Sequence, residues 1–155
     1  MGFIPDGAKW YLAEIVEEIT IEDDPRNVVH RNLHLVRADS PEEAYQRAVD
    51  LGTAGDDSYD NVDGKRVTIR FRGLCYLKVI HDELEHGAEL RYREDIAVDE
   101  STIQEWVASK EDLGAFRPIE FKPSPGPNYS SRDILEKLYE EFPHLRPKPD
   151  KSKPN

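Results

Sequence analysis

The residues best equipped for chemistry are arginines. Arg66, Arg70 and Arg72 share one parity in a stretch that alternates with Val67, Ile69 and Phe71; Arg91 and Arg93 share one parity beyond the next turn. Side chains of one parity point to one face of a pleated strand. Two such strands, paired, gather five guanidinium groups on one surface. A guanidinium is a planar fork that grips phosphate or carboxylate through two parallel hydrogen bonds. The expectation is therefore an anion or acidic-partner site. Glu14 and Glu18, or Glu89, are the carboxylates placed to neutralise it, and such cross-strand pairs contribute only ~0.2–1 kcal/mol each. Trp106 and Tyr139 complete the binding candidates, because aromatics together with arginine carry much of the energy of protein interfaces.

The other reactive side chains point to no reaction. His30 and His34 lie on one face of a strand with Asn32 between them, ~13 Å apart at Cα and too far for one metal. His81 and His86 bracket Asp82 and Glu83 at a spacing of five, which misses the i, i+4 geometry that sets two ligands on one helical face. A metal-dependent hydrolase built on His81, Asp82, Glu83 and His86 is the weakest reading. Cys75 sits in the most apolar segment, Leu74 to Ile80, where a thiol behaves as a small hydrophobe. Glu17-Glu18, Glu22-Asp23-Asp24 and Glu140-Glu141 are neighbours of the kind expected by chance among 32 acidic residues. Phosphate-binding, dinucleotide-binding and nucleophile-elbow motifs are missing. No catalytic residue, metal ligand or cofactor is assigned.

The elements that must position these residues are legible. Trp10 to Ile21 is rich in β-branched and aromatic residues, with Tyr11, Ala13, Ile15, Ile19 and Ile21 on one parity; this predicts a strand. Asp23-Asp24-Pro25-Arg26-Asn27 is a turn. Val28 to Ala38 is the next strand, with Val29, Leu33 and Leu35 on one side and Val28, His30, Asn32, His34 and Val36 on the other. Ser40-Pro41-Glu42-Glu43 predicts a helix start by cap, proline and capping box. The helix runs Pro41 to Leu51, and Gly52 ends it in a left-handed conformation. Asp56 to Asp60 is a polar loop and Asp63-Gly64 a tight hairpin turn. Lys65 to Ile80 is a long strand with a bulge at Gly73. Glu85-His86-Gly87 turns the chain into a last strand from Ala88 to Arg93. Ser101 caps a short helix carrying Ile103, Trp106 and Val107. Lys122 to Asn128 is a linker, and Ser130 to Phe142 a final helix.

These elements predict an α+β fold: a four- or five-stranded antiparallel β-sheet with one main packing helix over residues 9–94. A helical extension follows over 95–142, then a flexible Pro/Lys-rich tail over 143–155. The expected core is Tyr11, Ala13, Ile15, Leu33, Leu35, Ala44, Ala48, Leu51, Val67, Ile69, Phe71, Leu77 and Leu90. The aromatics of the extension either close over the open face of the sheet or pack on another chain.

Composition limits the function. The 155 residues carry a net charge of −11 and a mean hydropathy of −0.73. Leu, Ile, Val and Phe still exceed the ~20% level below which disorder is expected. No apolar run approaches the ~18 residues of a membrane span, and no N-terminal segment resembles a signal peptide. A lone cysteine forms no intrachain disulfide, so cytoplasm is the expected compartment. The tail from Pro143 is basic and the remainder correspondingly more acidic, which repels nucleic acid at long range.

Trp10-Tyr11-x-Ala13, Ala38-Asp39-Ser40-Pro41-Glu42-Glu43-Ala44-Tyr45, Tyr59-x-Asn61-x-Asp63-Gly64 and Phe71-x-Gly73 together resemble a small bacterial domain-of-unknown-function family. Its members open with a Trp-Tyr-x-Ala strand. The resemblance covers about residues 9–94 and implies a cytosolic prokaryotic origin with no assigned activity. The expected function is a non-catalytic protein–protein interaction module, toxin-neutralising or defence-accessory by analogy with other small acidic proteins. The alternative is a phosphate or nucleic-acid binder through the basic sheet face, which the net charge disfavours. A protein partner is expected, a membrane is not, and homo-oligomerisation is left open.

Overall fold

The computed structural model describes residues 6–118 and 125–148. Four strands form one antiparallel sheet: β1 (Trp10–Ile21), β2 (Val28–Arg37), β3 (Asp57–Asp60) and β4 (Arg66–Val79), in the order β2-β1-β4-β3. Helix α1 (Pro41–Ala54) packs on one face, and α2 (Glu100–Trp106) and α3 (Arg132–Glu141) follow. The fold is α+β with a C-terminal helical extension, as the element order predicts.

The central strand is β1, the most β-branched segment, paired along nearly its whole length with β2 and with β4. The β1–β2 turn forms as its residues dictate. Asp23 adopts a positive φ of 63°, and the Asp24 carboxylate accepts hydrogen bonds from the backbone and side chain of Arg26. The 57–60 stretch, expected as loop, is the short edge strand β3. Its two aspartates have low strand propensity, but pairing with Arg66–Ile69 of β4 overrides this.

Ser40 caps α1, accepting from the Glu43 N–H at 3.2 Å, while Glu43 accepts from the Asp39 N–H at 2.7 Å. The helix does not end at Leu51. Gly52 lies within it, and a Cβ there would meet the Phe71 ring at 2.3 Å. Close packing rather than a left-handed turn explains this glycine. Ala44, Ala48 and Gly52 form a narrow ridge that lets α1 approach the sheet. Tyr11, Ala13, Val36, Ala38 and Val79 lie beneath it with both alanines. A second cluster of Ile19, Ile21 and Val67 fills the other end of this face.

The phase of β2 is the reverse of the expected one. Tyr11 faces Val36 across the ladder and Ala13 faces His34, so the even-numbered residues of β2 turn toward α1. Leu33 and Leu35 lie on the opposite face, exposed. Leu51 and Leu90 are also exposed, whereas Tyr11, Ala13, Ile15, Ala44, Ala48 and Val67 are core residues.

Strand β4 carries two irregularities rather than one bulge at Gly73. Arg72 and Cys75 have no residue opposite them in β1. Each extra residue reverses the parity of the strand beyond it, so the run Leu74 to Val79 keeps an inward face. The second extra residue leaves Cys75 exposed rather than buried.

The strand expected at 88–93 is irregular chain. The turn before it does form, with Gly87 at φ 90° and the Ala88 N–H donating to Glu85 O. The chain then crosses above the sheet instead of pairing at its edge.

In the extension, Asp99 rather than Ser101 caps α2, accepting from the Thr102 N–H. Residues 125–131, which join the end of the expected linker to the start of the expected final helix, dock on the sheet. Pro127 is buried, Asn61 Nδ2 donates to Asn128 O at 2.9 Å, Tyr59 Oη donates to Tyr129 O, and the Tyr129 ring meets His30 edge-on. Helices α2 and α3 bury none of their residues, so neither closes the open face. Pro143–Leu145 forms one 3-10 turn, with proline at the first position where its missing N–H costs nothing. Residues 119–124, which include the first part of the linker, and residues 149–155 of the basic tail lie outside the described residues.

Candidate functional site

The face of the sheet opposite α1 holds the site. By register it presents Leu12, Glu14, Val16 and Glu18 of β1, flanked by Val29, Arg31, Leu33 and Leu35 of β2 and by Arg70, Tyr76 and Lys78 of β4. Glu14 is buried here. Its carboxylate receives Arg91 Nη1 at 2.7 Å on one oxygen and Arg31 Nε at 3.2 Å on the other. The Arg91 hydrogen bond, reinforced by Arg31, holds the Glu14 carboxyl below its usual range against the opposing effect of desolvation. Glu18 accepts from Asn27 Nδ2 at 2.7 Å and from Arg72 Nη1 at 2.8 Å. These contacts, Asn27 first, lower its pKa as well.

The carboxylates Glu14 and Glu18 thus anchor the basic residues, as their positions on the first strand predict. The five arginines do not arrive together. Arg70 lies on the face by strand parity and Arg72 reaches Glu18 from the irregularity beside Gly73. Arg91 comes from the crossing loop, with its guanidinium 4.3 Å above the Tyr76 ring. Arg66 pairs with Asp60 toward the β3 edge, and Arg93 makes no ion pair with any described residue. Sequence reasoning misses Arg31. It shares parity with Leu33 on β2, and that shared parity is the one signal that could have found it.

Four guanidiniums, of Arg31, Arg70, Arg72 and Arg91, surround two carboxylates. On this part of the face the four arginines outnumber Glu14 and Glu18, while Asp82 and Glu89 stand beside Tyr76, Lys78 and Arg91, in a chain of net charge −11. Beside it run three apolar side chains that are half exposed: Val29 at 51%, Leu33 at 59% and Leu35 at 47%. Trp106 stands exposed on α2, and Tyr139 lies under the Arg146 guanidinium at 5.1 Å. The structure does not join either aromatic to the arginines of the sheet.

The remaining sequence candidates disperse. His30 packs against Tyr129 on the covered face. His81, Asp82 and Glu83 line a cleft of about 450 Å³ that His86 does not reach, and the Asp82 carboxylate accepts the Glu89 N–H. Among the described residues no three His, Cys, Asp or Glu side chains converge as metal ligands do. Desolvation and the neighbouring Glu14 raise the Cys75 thiol above its ordinary range, which keeps it protonated and a poor nucleophile.

The model of a domain of unknown function, DUF4288, matches residues 10–92. The chain belongs to the DUF4288 family. The DUF4288 region spans all four strands, α1 and the loop that delivers Arg91, so the whole Glu14–Arg31–Arg91 cluster lies within it. Arg93, Trp106 and Tyr139 fall beyond it. No curated protein and no solved structure matches the chain. No helix of the described residues is long and apolar enough to cross a membrane.

Proposed function

We propose that this chain is a non-catalytic protein-binding module of the bacterial cytosol and that it binds through the open sheet face. One observation carries the reading: half-exposed Val29, Leu33 and Leu35 stand directly beside arginines that outnumber their carboxylates. Apolar side chains flanked by arginine are the composition of an interface. An apolar strip on a solvated sheet otherwise costs solubility. A toxin-neutralising or defence-accessory role is the finer form of this proposal, motivated by the small size and acidity of the chain.

The test is affinity capture from the native host with the full chain and with an Arg70→Ala/Arg72→Ala double variant. A partner held by the former and lost by the latter supports the reading. Equal recovery by both, or none by either, sinks it.

A second reading, a phosphate or nucleic-acid binder, draws on Arg70, which makes no ion pair with any described residue. It requires oligonucleotide binding that weakens steeply as salt rises. Absent or salt-independent binding removes it.

A further inference from the structure

The free edge of β2 gives the module a specific mode of recognition, and this inference rests on the protein-binding reading above. β2 pairs with β1 and, among the described residues, with no strand on its other side, where the Arg47 guanidinium donates to the Arg37 carbonyl at 2.7 Å. An edge strand turns alternate N–H and C=O groups outward and recruits another strand unless it is short, bulged, or blunted by proline or by charged side chains that the incoming strand does not neutralise. β2 spans 10 residues without proline, lysine or a register shift. The opposite edge is protected. β3 has 4 residues, two of them aspartate, and the Asp56 carboxylate takes the Phe71 N–H just beyond it.

A groove of about 370 Å³ runs beside this edge, with Leu35, Leu51 and Ala54 as its apolar floor and Arg37, Arg47 and Asp50 on its rim. The charge of the strand identifies the occupant. β2 carries Arg31, Arg37, His30 and His34 and no carboxylate, in a chain of net charge −11. Arg37 makes no ion pair with any described residue, and Arg31 divides Glu14 with Arg91.

We propose that an extended acidic segment of a partner protein adds along β2 as a fifth strand. The side chains of one parity in the added strand, those on the open face, carry apolar groups beside Val29, Leu33 and Leu35 and carboxylates beside Arg31 and Arg37, which share that face of β2. Main-chain hydrogen bonds supply affinity in this mode and alternate side chains supply specificity. A second copy of the chain fits worse. Two paired β2 strands bring their arginines together with no carboxylate in either strand, and each copy carries the same net negative charge.

The test begins with displayed random peptides of about ten residues, selected against the full chain, then synthesis of the enriched sequences. The expected peptides are acidic with alternating apolar residues. Their binding should weaken at least about tenfold with Leu33→Lys, with Arg37→Glu, and on N-methylation of alternate peptide amides. Bound peptide should also slow hydrogen exchange along β2. The proposal is overturned by no enrichment, by neutral or basic winners, by indifference to both substitutions, or by a dimer that already protects β2. If Arg70→Ala/Arg72→Ala abolishes peptide binding while Arg37→Glu and amide N-methylation leave it intact, the open-face module stands and the edge mode falls.

Discussion

Replacing Gly52 with alanine separates two reasons for a glycine near the end of α1. If Gly52 were there for a left-handed backbone, alanine would be strained whatever residue stood at 71. The structure gives the other reason. The new methyl carbon would lie 2.3, 2.4 and 2.9 Å from three atoms of the Phe71 ring, well inside contact distance. Overpacking of this kind costs ~1–3 kcal/mol, and three close ring atoms place it at ~2–3. Alanine recovers ~1 kcal/mol of helix propensity, so the net loss should be ~1–2 kcal/mol. For a chain of this size that lowers Tm by roughly 2–8 °C. The decisive assay is a double-mutant cycle with Phe71→Leu, read by denaturant unfolding. Removing the ring should make Gly52→Ala neutral or stabilising, a coupling of ~2–3 kcal/mol. A Gly52→Ala variant that is stabilised, or equally damaged in both backgrounds, would refute the packing argument.

Three further outcomes are expected from the same geometry. Ile15→Ala should cost ~2–5 kcal/mol, whereas Leu33→Ala should stay within ~0.5 kcal/mol; equal losses in chemical denaturation would mean the phase of β2 is wrong. Asn61→Ala should cost ~1–3 kcal/mol, because its buried amide accepts from the Asp63 and Lys65 N–H groups and donates to Asn128 O. Hydrogen exchange over 125–131 should accelerate with it, and unchanged rates would show that this segment is held by other contacts. Hydrogen bonds from the Arg26 side chain and then from its backbone N–H lower the Asp24 pKa from 3.8 to about 2, so the stabilisation they give is complete above its ordinary value and disappears as pH falls from about 4 to about 2. Arg26→Ala should therefore partly flatten the acid limb of Tm against pH, and an unaltered limb would remove the Arg26 side chain as its source.

Much of the fold is legible in the sequence because local chemistry and tertiary context agree there. The Ser40 cap with Pro41 and the Asp63-Gly64 turn are satisfied within a few residues, and the alternation of β1 and of the first half of β4 agrees with the faces that their partner strands give them. The expectations that fail share a cause. Alternation reveals that a strand has two faces but not which face a helix will cover, and so it cannot place Leu33 and Leu35 inward or outward. Parity also assumes an uninterrupted pleat, and the extra residues Arg72 and Cys75 reset it. The 88–93 segment alternates like a strand, but Arg91 gains the buried Glu14 carboxylate and the Tyr76 ring only by passing above the sheet. Of the candidate site, Arg70, Arg72, Glu14 and Glu18 are readable from the sequence, whereas Arg31 emerges only with the phase of β2.

The sequence by itself determined the α+β class, the start of the main helix and its cap, the first strand and the acidic, cysteine-poor character of the chain, since each rests on propensity, spacing or charge within a few residues. Only the tertiary structure decided which side of β2 meets α1, which arginines share a carboxylate, and which sheet edge remains open. Those outcomes depend on register and packing between segments far apart in the chain, where a shift of one residue exchanges the two faces of a strand.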